Sequence, residues 1–445
     1  MTYLEFLRNR AFWFLDYCRG SKVKTYLDTL QRIEGGITGS SDEDAAEYQK
    51  EQLKRLLTHA AATVPLYAEQ ESADIEDWPV TNKLLYREDY DRCISNKYNR
   101  DSLIEMSTSG STGTPFVSYQ DSDKKKHVNA ETLFYNGQIG YQIGRRIIYL
   151  RSVVSEVSKT PLQQFAQNIF LLDCNDLSDS GIKDKLKRIV NLSKGCGAML
   201  MGYASTFEAF HQYFEKYGLA DVLGANIYGI VSGSEMLYDQ TRESMETAFR
   251  CKCVSRYANE ENGFLGQDQD ENNVFFMNRA DYYFEILKME KDILAEDGEV
   301  GRIVVTDLFN YAMPMIRYDT GDVGAFVWQP KHNRKCVASF GGRKVDTVTN
   351  LHGELISPHA ITNLMWSCRE VTQYQFIQKD IGRYQIKINC PSNRLDEEKL
   401  TQDYQRILGL DAKIEISYTD DIPILASGKR RYIVNETNRH QGEKQ

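Results

Sequence analysis

Nine residues from Ser107 to Pro115, STSGSTGTP, place six hydroxyls and two glycines on one short segment. Gly110 and Gly113 can adopt backbone angles that residues with a Cβ avoid, so successive N–H groups can turn inward. Ser107, Thr108, Ser109, Ser111, Thr112 and Thr114 add side-chain donors. Such a loop can wrap a polyphosphate; the same composition also suits a surface linker. No Gly-Lys-Ser/Thr follows and no helix opens at once, which excludes a Walker loop. Four other stretches carry chemistry-bearing residues at sharp turns: Ser232-Gly233-Ser234-Glu235, Tyr257 to Gly263 with Glu260 and Glu261 inside it, Tyr318 to Asp322, and Ser427-Gly428-Lys429. Each has a plain alternative: a turn-forming Asp322, a core aromatic at Tyr257, a solvated acid at Glu261, and an exposed basic hairpin tip at Lys429.

The elements that must hold these residues are legible in the apolar pattern. Leu103 to Met106 leads into the opening loop and Phe116 to Tyr119 leads out, predicting strand, loop, strand. Ala45 to Ala62 carries Leu53, Leu56, Leu57 and Ala60 at helical spacing and stops at Val64-Pro65. Ala198 to Tyr203 reads as a buried strand feeding a helix over Ser205 to Tyr217, and Ile227 to Val231 as another before a helix over Asp239 to Phe249. This alternation predicts a large layered α/β domain. From about Asp281 the pattern turns β-rich, with strands at Tyr282 to Leu287, Gly301 to Val305 and Val323 to Val327, and Tyr318 to Asp322 ending in a turn. After Arg343 a smaller α+β unit is expected, with a helix near Pro358 to Trp366, strands at Gln373 to Ile377 and Tyr384 to Asn389, a helix over Asp396 to Leu408 and a strand at Lys413 to Tyr418. The expected division is 1–342, with its β-rich part at about 281–342, and 343–445.

Composition removes several function classes. A net charge of -9 argues against a nucleic-acid partner, which clustered Lys and Arg would serve. The longest basic run, Lys124-Lys125-Lys126, reads as a solvated helix face. Nine scattered cysteines match neither a zinc ribbon nor a redox motif, which points to reduced thiols and a cytoplasmic setting. No stretch reaches the length of a membrane span. Ala11 to Leu15 reads as part of a helix docked on the body, with an amphipathic membrane contact as the second reading.

Taken in order, "LKRLLTHAAATVPLY" at Leu53 to Tyr67, "MSTSGSTGTPF" at Met106 to Phe116 and "MPMIRYDTGDVGAF" at Met313 to Phe326 resemble the adenylate-forming superfamily. Within it the chain is similar to the phenylacetate-CoA ligase branch and to CapK-type proteins of capsular polysaccharide clusters. The resemblance runs from about Tyr48 to Ile433. It implies an ATP- and Mg²⁺-dependent enzyme that activates a small carboxylic acid as an acyl-adenylate and passes the acyl group to CoA. A sugar amine or a carrier is the capsule-type alternative acceptor, and a non-catalytic nucleotide-binding descendant is the alternative class. By the same resemblance, Ser107 to Thr114 and Ser232 to Glu235 line the nucleotide site, Tyr257 stacks on adenine, Asp322 grips the ribose hydroxyls and Glu261 holds Mg²⁺. Arg343 touches ribose or phosphate at the hinge of a mobile C-terminal lid, and Lys429 reaches the α-phosphate. Val345 and Ala258 depart from the residues usual at their positions. Tyr203, Tyr228 and Phe264 are candidate walls of the acid pocket, and a homodimer is one expected assembly.

Overall fold

The computed structural model describes residues 1–35, 42–107, 116–151, 159–174, 176–269, 273–343, 348–353, 355–356, 361, 364–365, 368, 370–371, 373–390, 395–422 and 432–437. Thr108 to Thr114, Lys429 and most of the helix expected near Pro358 therefore lie outside the described residues. The chain divides into two compact units, one of residues 1–320 and 326–338, the other of 321–325 and 339–445.

A hairpin of β1 (Ile104–Ser107) and β2 (Val117–Gln120) flanks the hydroxyl-rich loop, with Ser107 opposite Val117. Five parallel strands follow: β3 (Arg146–Arg151), β4 (Ile169–Asp173), β5 (Ala198–Tyr203), β6 (Ile227–Gly233) and β7 (Cys253–Asn259). Next come β8 (Gly263–Asp268), β9 (Val274–Met277), β10 (Tyr282–Leu287), β11 (Gly301–Asp307), β12 (Tyr318–Gln329) and β13 (Arg334–Arg343). All eleven from β3 onward form one sheet, in the order β10-β11-β12-β13-β9-β8-β7-β6-β5-β3-β4. The β-rich stretch from Asp281 thus extends the sheet begun by the α/β alternation.

Alternation along β5 explains how the sheet is covered. Ala198 and Leu200 join a core with Leu186, Phe207, Phe210 and Met245, from helices Asp179–Ser193, Ala204–Tyr217 and Asp239–Phe249. Met199 and Met201 enter a second core with Ile139, Tyr141 and Val254. A strand buried on both faces is apolar throughout, as "AMLM" is. Helix Ser122–Gly137, capped by the Asp121 carboxylate, packs Ala130, Phe134 and Tyr135 against Phe264.

In the second unit, β14 (Val348–Thr349) pairs with β15 (Leu355–Ile356). A separate four-stranded sheet orders β16 (Gln373–Asp380), β17 (Arg383–Asn389), β18 (Lys413–Tyr418) and β19 (Ile433–Asn435) as β18-β17-β16-β19. Helix Glu397–Leu408, capped by Asp396, buries Leu400, Tyr404 and Leu408 among Phe376, Ile386 and Ile388.

Two expectations are corrected. Lys124 is not on a solvated face: it is fully buried, its Nζ 2.8 Å from Asp307 Oδ2 and 2.9 Å from the Tyr282 hydroxyl. The acids that make this burial tolerable lie more than 150 positions downstream or on the same helix at Glu131, so a local charge run gave no sign of them. Tyr318 to Asp322 does not end in a turn but opens a twelve-residue strand, in which Gly321 takes φ +79°.

Candidate functional site

Glu261 is the best-defined of the expected site residues. Its turn between β7 and β8 is built locally: Asn259 Oδ1 accepts from the Asn262 N–H at 2.8 Å, and Asn259 Nδ2 donates to Asn262 Oδ1 at 3.0 Å. Gly263 closes the turn at φ +129°, where a Cβ would lie 2.7 Å from Glu131 Oε2 and 2.8 Å from the Tyr282 hydroxyl. From β2, Gln120 Nε2 donates to the Glu261 carbonyl at 3.2 Å.

The Glu261 carboxylate is buried and already faces a cation. Its Oε1 lies 2.8 Å from Lys83 Nζ and accepts a 2.8 Å hydrogen bond from the Tyr318 hydroxyl. Both partners are fixed by one strip of backbone pairing: the Thr81 N–H donates to Arg317 O at 2.9 Å, and the Asp319 N–H donates to Thr81 O at 2.8 Å. The next residue, Asn82, caps helix Lys83–Glu88 through Leu84 N–H and Leu85 N–H, which starts the helix with Lys83 at its first position. Tyr318 is fully buried, edge-on to Tyr86. Lys83 Nζ also sits 5.6 Å from the centroid of Phe116, the residue next to the end of the hydroxyl-rich loop. One ammonium therefore spans from the loop's exit to Glu261. Lys83 and Tyr318 had no assigned role in the sequence reading; the helix-capping Asn82 ahead of Lys83 was the only local signal.

The Ser232 to Glu235 segment leaves the C-terminal end of β6, where open parallel sheets bind ligands. Tyr203, Gly233 and Arg256 stand side by side across β5, β6 and β7. Ser232 is fully buried, and its hydroxyl makes no hydrogen bond among the described residues. Ser234 is exposed with φ +70°, a backbone state that costs a residue bearing a Cβ about 1–3 kcal/mol. Glu235 turns back into the fold: its Oε2 accepts from the Ser205 N–H at 2.9 Å, a carboxylate at the N-terminus of helix Ala204–Tyr217. Tyr203, half-buried beside it, has its phenol pushed up to about 12 by burial.

Tyr257 follows on β7, half-buried, its hydroxyl 3.4 Å from Thr320 Oγ1 and its ring tilted against Phe275. Asp322 is half-buried on β12, within the stretch assigned to the second unit. Arg343 ends β13. The fold thus brings together the exit of the hydroxyl-rich loop and Glu261, and sets Ser232 to Glu235 beside Arg256 and Tyr257. Of the expected pocket walls, Tyr228 lies near the opposite end of β6, under the Arg145 guanidinium, whereas Phe264 stacks on Tyr135 and also faces the Arg256 guanidinium, 5.4 Å from its ring centroid. A cavity of about 710 Å³, lined by Trp13, Leu27, Phe134, Tyr141, Lys252 and Gln267, opens at the start of β7, and none of the expected site residues lines it.

A single buried carboxylate whose present partner is an ammonium suits a cation that takes its remaining ligands from phosphates and water, as Mg²⁺ does. Among the described residues no cluster of three or more His, Cys, Asp or Glu side chains could enclose a metal unaided.

Residues 348–436 match the CapK C-terminal domain. Protein CapK of Staphylococcus aureus is 23% identical over 384 residues, spanning 82% of this chain and 80% of CapK. Among solved structures, 2-hydroxyisobutyryl-CoA ligase in its postadenylation state with 2-HIB-AMP superposes with a TM-score of 0.68 at 14% identity, over 89% of this chain and 90% of that one. MatB from Rhodopseudomonas palustris, bound to ATP, gives a TM-score of 0.53 at 14% identity, over 79% of this chain and 70% of its own. This chain is thus similar to CapK over most of its length, carries the CapK C-terminal domain, and has the fold of adenylate-forming CoA ligases.

Proposed function

We propose that the protein is an adenylate-forming ligase that couples ATP cleavage to activation of a small carboxylic acid, releasing pyrophosphate. The observation that carries this reading is the convergence of the loop exit at Phe116, Lys83 and Glu261 at one point of a fold shared with ligases crystallised with ATP or acyl-AMP. In-line attack of a carboxylate on the α-phosphate requires charge neutralisation on both sides of phosphorus. The loop from Ser107 to Thr114 holds the β- and γ-phosphates through its N–H groups and hydroxyls. Lys83 supplies a fixed positive charge beside that loop, and Glu261 holds Mg²⁺, which contributes further neutralisation when bound. Tyr257 stacks on the adenine, Ser232 to Glu235 border the nucleotide, and Asp322 accepts from the two ribose hydroxyls. Arg343 contacts ribose or phosphate, and Lys429, on a C-terminal lid beginning near Arg343, neutralises charge that develops at the α-phosphate.

The acyl acceptor in this reading is a thiol of the CoA type, by analogy with the ligases that share the fold. The likeness to CapK favours a second acceptor, a sugar amine or carrier-bound group. Carboxylate-dependent ATP–pyrophosphate exchange over an acid panel tests adenylation. Product analysis with CoA or with amino sugars then separates the acceptors, and a protein that binds ATP without exchange would be the non-catalytic alternative. A cytoplasmic site of action fits the nine free thiols.

A further inference from the structure

Helix Tyr3–Cys18 is amphipathic in reverse. Its acids point into the protein: Glu5 and Asp16 are 1% and 8% exposed. Glu5 Oε1 accepts from the Arg146 N–H at 3.2 Å, and the two Asp16 oxygens accept from Val23 N–H and Lys24 N–H, capping the next helix, Lys22–Glu34. Asn9 Nδ2 donates to Ile143 O at 3.0 Å, and the helix backbone presses on Gly144, where a Cβ would meet Glu5 O at 2.5 Å. The helix is therefore held to the body through its polar side.

What it turns outward is apolar. Tyr3, Leu4, Phe6, Leu7, Phe14, Leu15 and Tyr17 are each between 43% and 75% exposed, and Ala11 and Cys18 are exposed with them. At 100° per residue these positions cover about half the circumference without a break. Leu162 and Phe165, 76% and 56% exposed, continue the patch, since Arg8 lies over the Phe165 ring and donates to its carbonyl at 2.7 Å. A monomer that leaves so large a contiguous apolar surface in water has a surface or partner to place against it.

The charges around the patch select the occupant. With Glu5 and Asp16 buried, the ionised side chains left at the surface among residues 1–20 are Arg8, Arg10 and Arg19, all positive. Arg10 lies within the apolar arc, its guanidinium over the Phe6 ring, and its long stem can carry the charge up to a headgroup layer while the rings beside it sink below. We propose that this face docks reversibly on a lipid bilayer bearing anionic headgroups, with the helix lying in the interfacial plane. A second copy of the chain is the less suitable occupant, because two-fold pairing of the face would bring Arg10 against its symmetry mate with no exposed acid on the helix to meet it. The net charge of -9 does not oppose docking at contact range, because charges farther than about 8–10 Å away are screened at physiological salt.

The test is flotation of the full chain with vesicles of phosphatidylcholine alone and of phosphatidylcholine with about one third phosphatidylglycerol, beside sedimentation velocity without lipid. The protein should float with the anionic vesicles at least tenfold better than with the neutral ones, and salt should weaken the association. The variant Leu7→Ser/Phe14→Ser/Leu15→Ser, altered only at exposed positions, should keep its melting temperature and lose flotation. Arg10→Glu/Arg19→Glu should lose the preference for anionic vesicles, each arginine near such a surface being worth about fivefold. Failure to float with either vesicle at low salt, or equal flotation with both, overturns the proposal. So does a wild-type dimer that the triple serine variant converts to monomer, since the face would then belong to a second copy.

Discussion

Replacing Lys83 with Met removes the ammonium 2.8 Å from Glu261 Oε1 while keeping most of the side chain's bulk over Phe116. At an effective dielectric of ~20 the gross attraction across that distance is about 6 kcal/mol. Most of it is offset, because the Glu261 side chain is only 2% exposed and has lost its hydration. Lys83 is 37% exposed, so water screens its half of the pair and the net value lies between those of surface and buried pairs. We expect a coupling of about 1–2 kcal/mol from a double-mutant cycle of Lys83→Met and Glu261→Gln, measured by urea unfolding at moderate salt. The Tyr318 hydrogen bond remains in Lys83→Met, so the carboxylate stays oriented but lacks its cation. Millimolar Mg²⁺ should therefore stabilise Lys83→Met more than wild type, and should not stabilise Lys83→Met/Glu261→Gln. Additive single-mutant effects together with the same Mg²⁺ response in all four proteins would refute the argument that Glu261 is a cation site.

Gly263→Ala should destabilise the fold by about 2–3 kcal/mol in chemical unfolding, because φ +129° is unfavourable to alanine and the intruding Cβ meets two oxygens held by their own hydrogen bonds. Its nucleotide affinity should fall as well, since the strain is released next to Glu261. Lys429→Ala should retain ATP binding by titration and lose about 10²–10³ in exchange rate, the scale of one preorganised charge contact made mainly in the transition state; an unchanged rate returns Lys429 to an ordinary basic hairpin. Burial holds the His59 imidazole below its usual pKa of 6.5, with Nε2 2.9 Å from Tyr311 O. The unfolded chain then binds more protons at mildly acid pH, so His59 contributes stability that is complete above pH ~6.5 and declines as pH falls through its depressed folded pKa. Unfolding at pH 7.5 and 5.5 should show a smaller acid loss in His59→Gln than in wild type, and equal losses would remove His59 from that dependence.

Much of the scaffold was legible because its signals are local. The helix stop at Val64-Pro65, the apolar run of β5 and the hydroxyl-rich loop between two short strands each depend on neighbours within a few positions. Contacts made across the chain were not. Lys83 lies 178 positions before Glu261 and Lys124 lies 183 before Asp307, by simple difference of residue numbers, and nothing near either lysine names the distant carboxylate it pairs with. Glu235 carries a long-range tie of the same kind: its carboxylate accepts from the Ser205 N–H at the start of helix Ala204–Tyr217, thirty positions earlier, and nothing beside Glu235 announces that bond. The first helix was expected to dock on the body and does, but through its acids; periodicity alone cannot tell which half of an apolar-rich helix faces inward.

Adenylation by this chain is read out by carboxylate-dependent ATP–[³²P]pyrophosphate exchange with the full chain and Mg²⁺, run over aryl, alkyl and hydroxy acids. Exchange well above the acid-free background is expected with at least one class of acid, together with its loss in Glu261→Gln at conditions where that variant is still folded. Tight ATP binding with no exchange for any acid would contradict this expectation and leave the chain a nucleotide-binding relative of the ligases whose fold it shares.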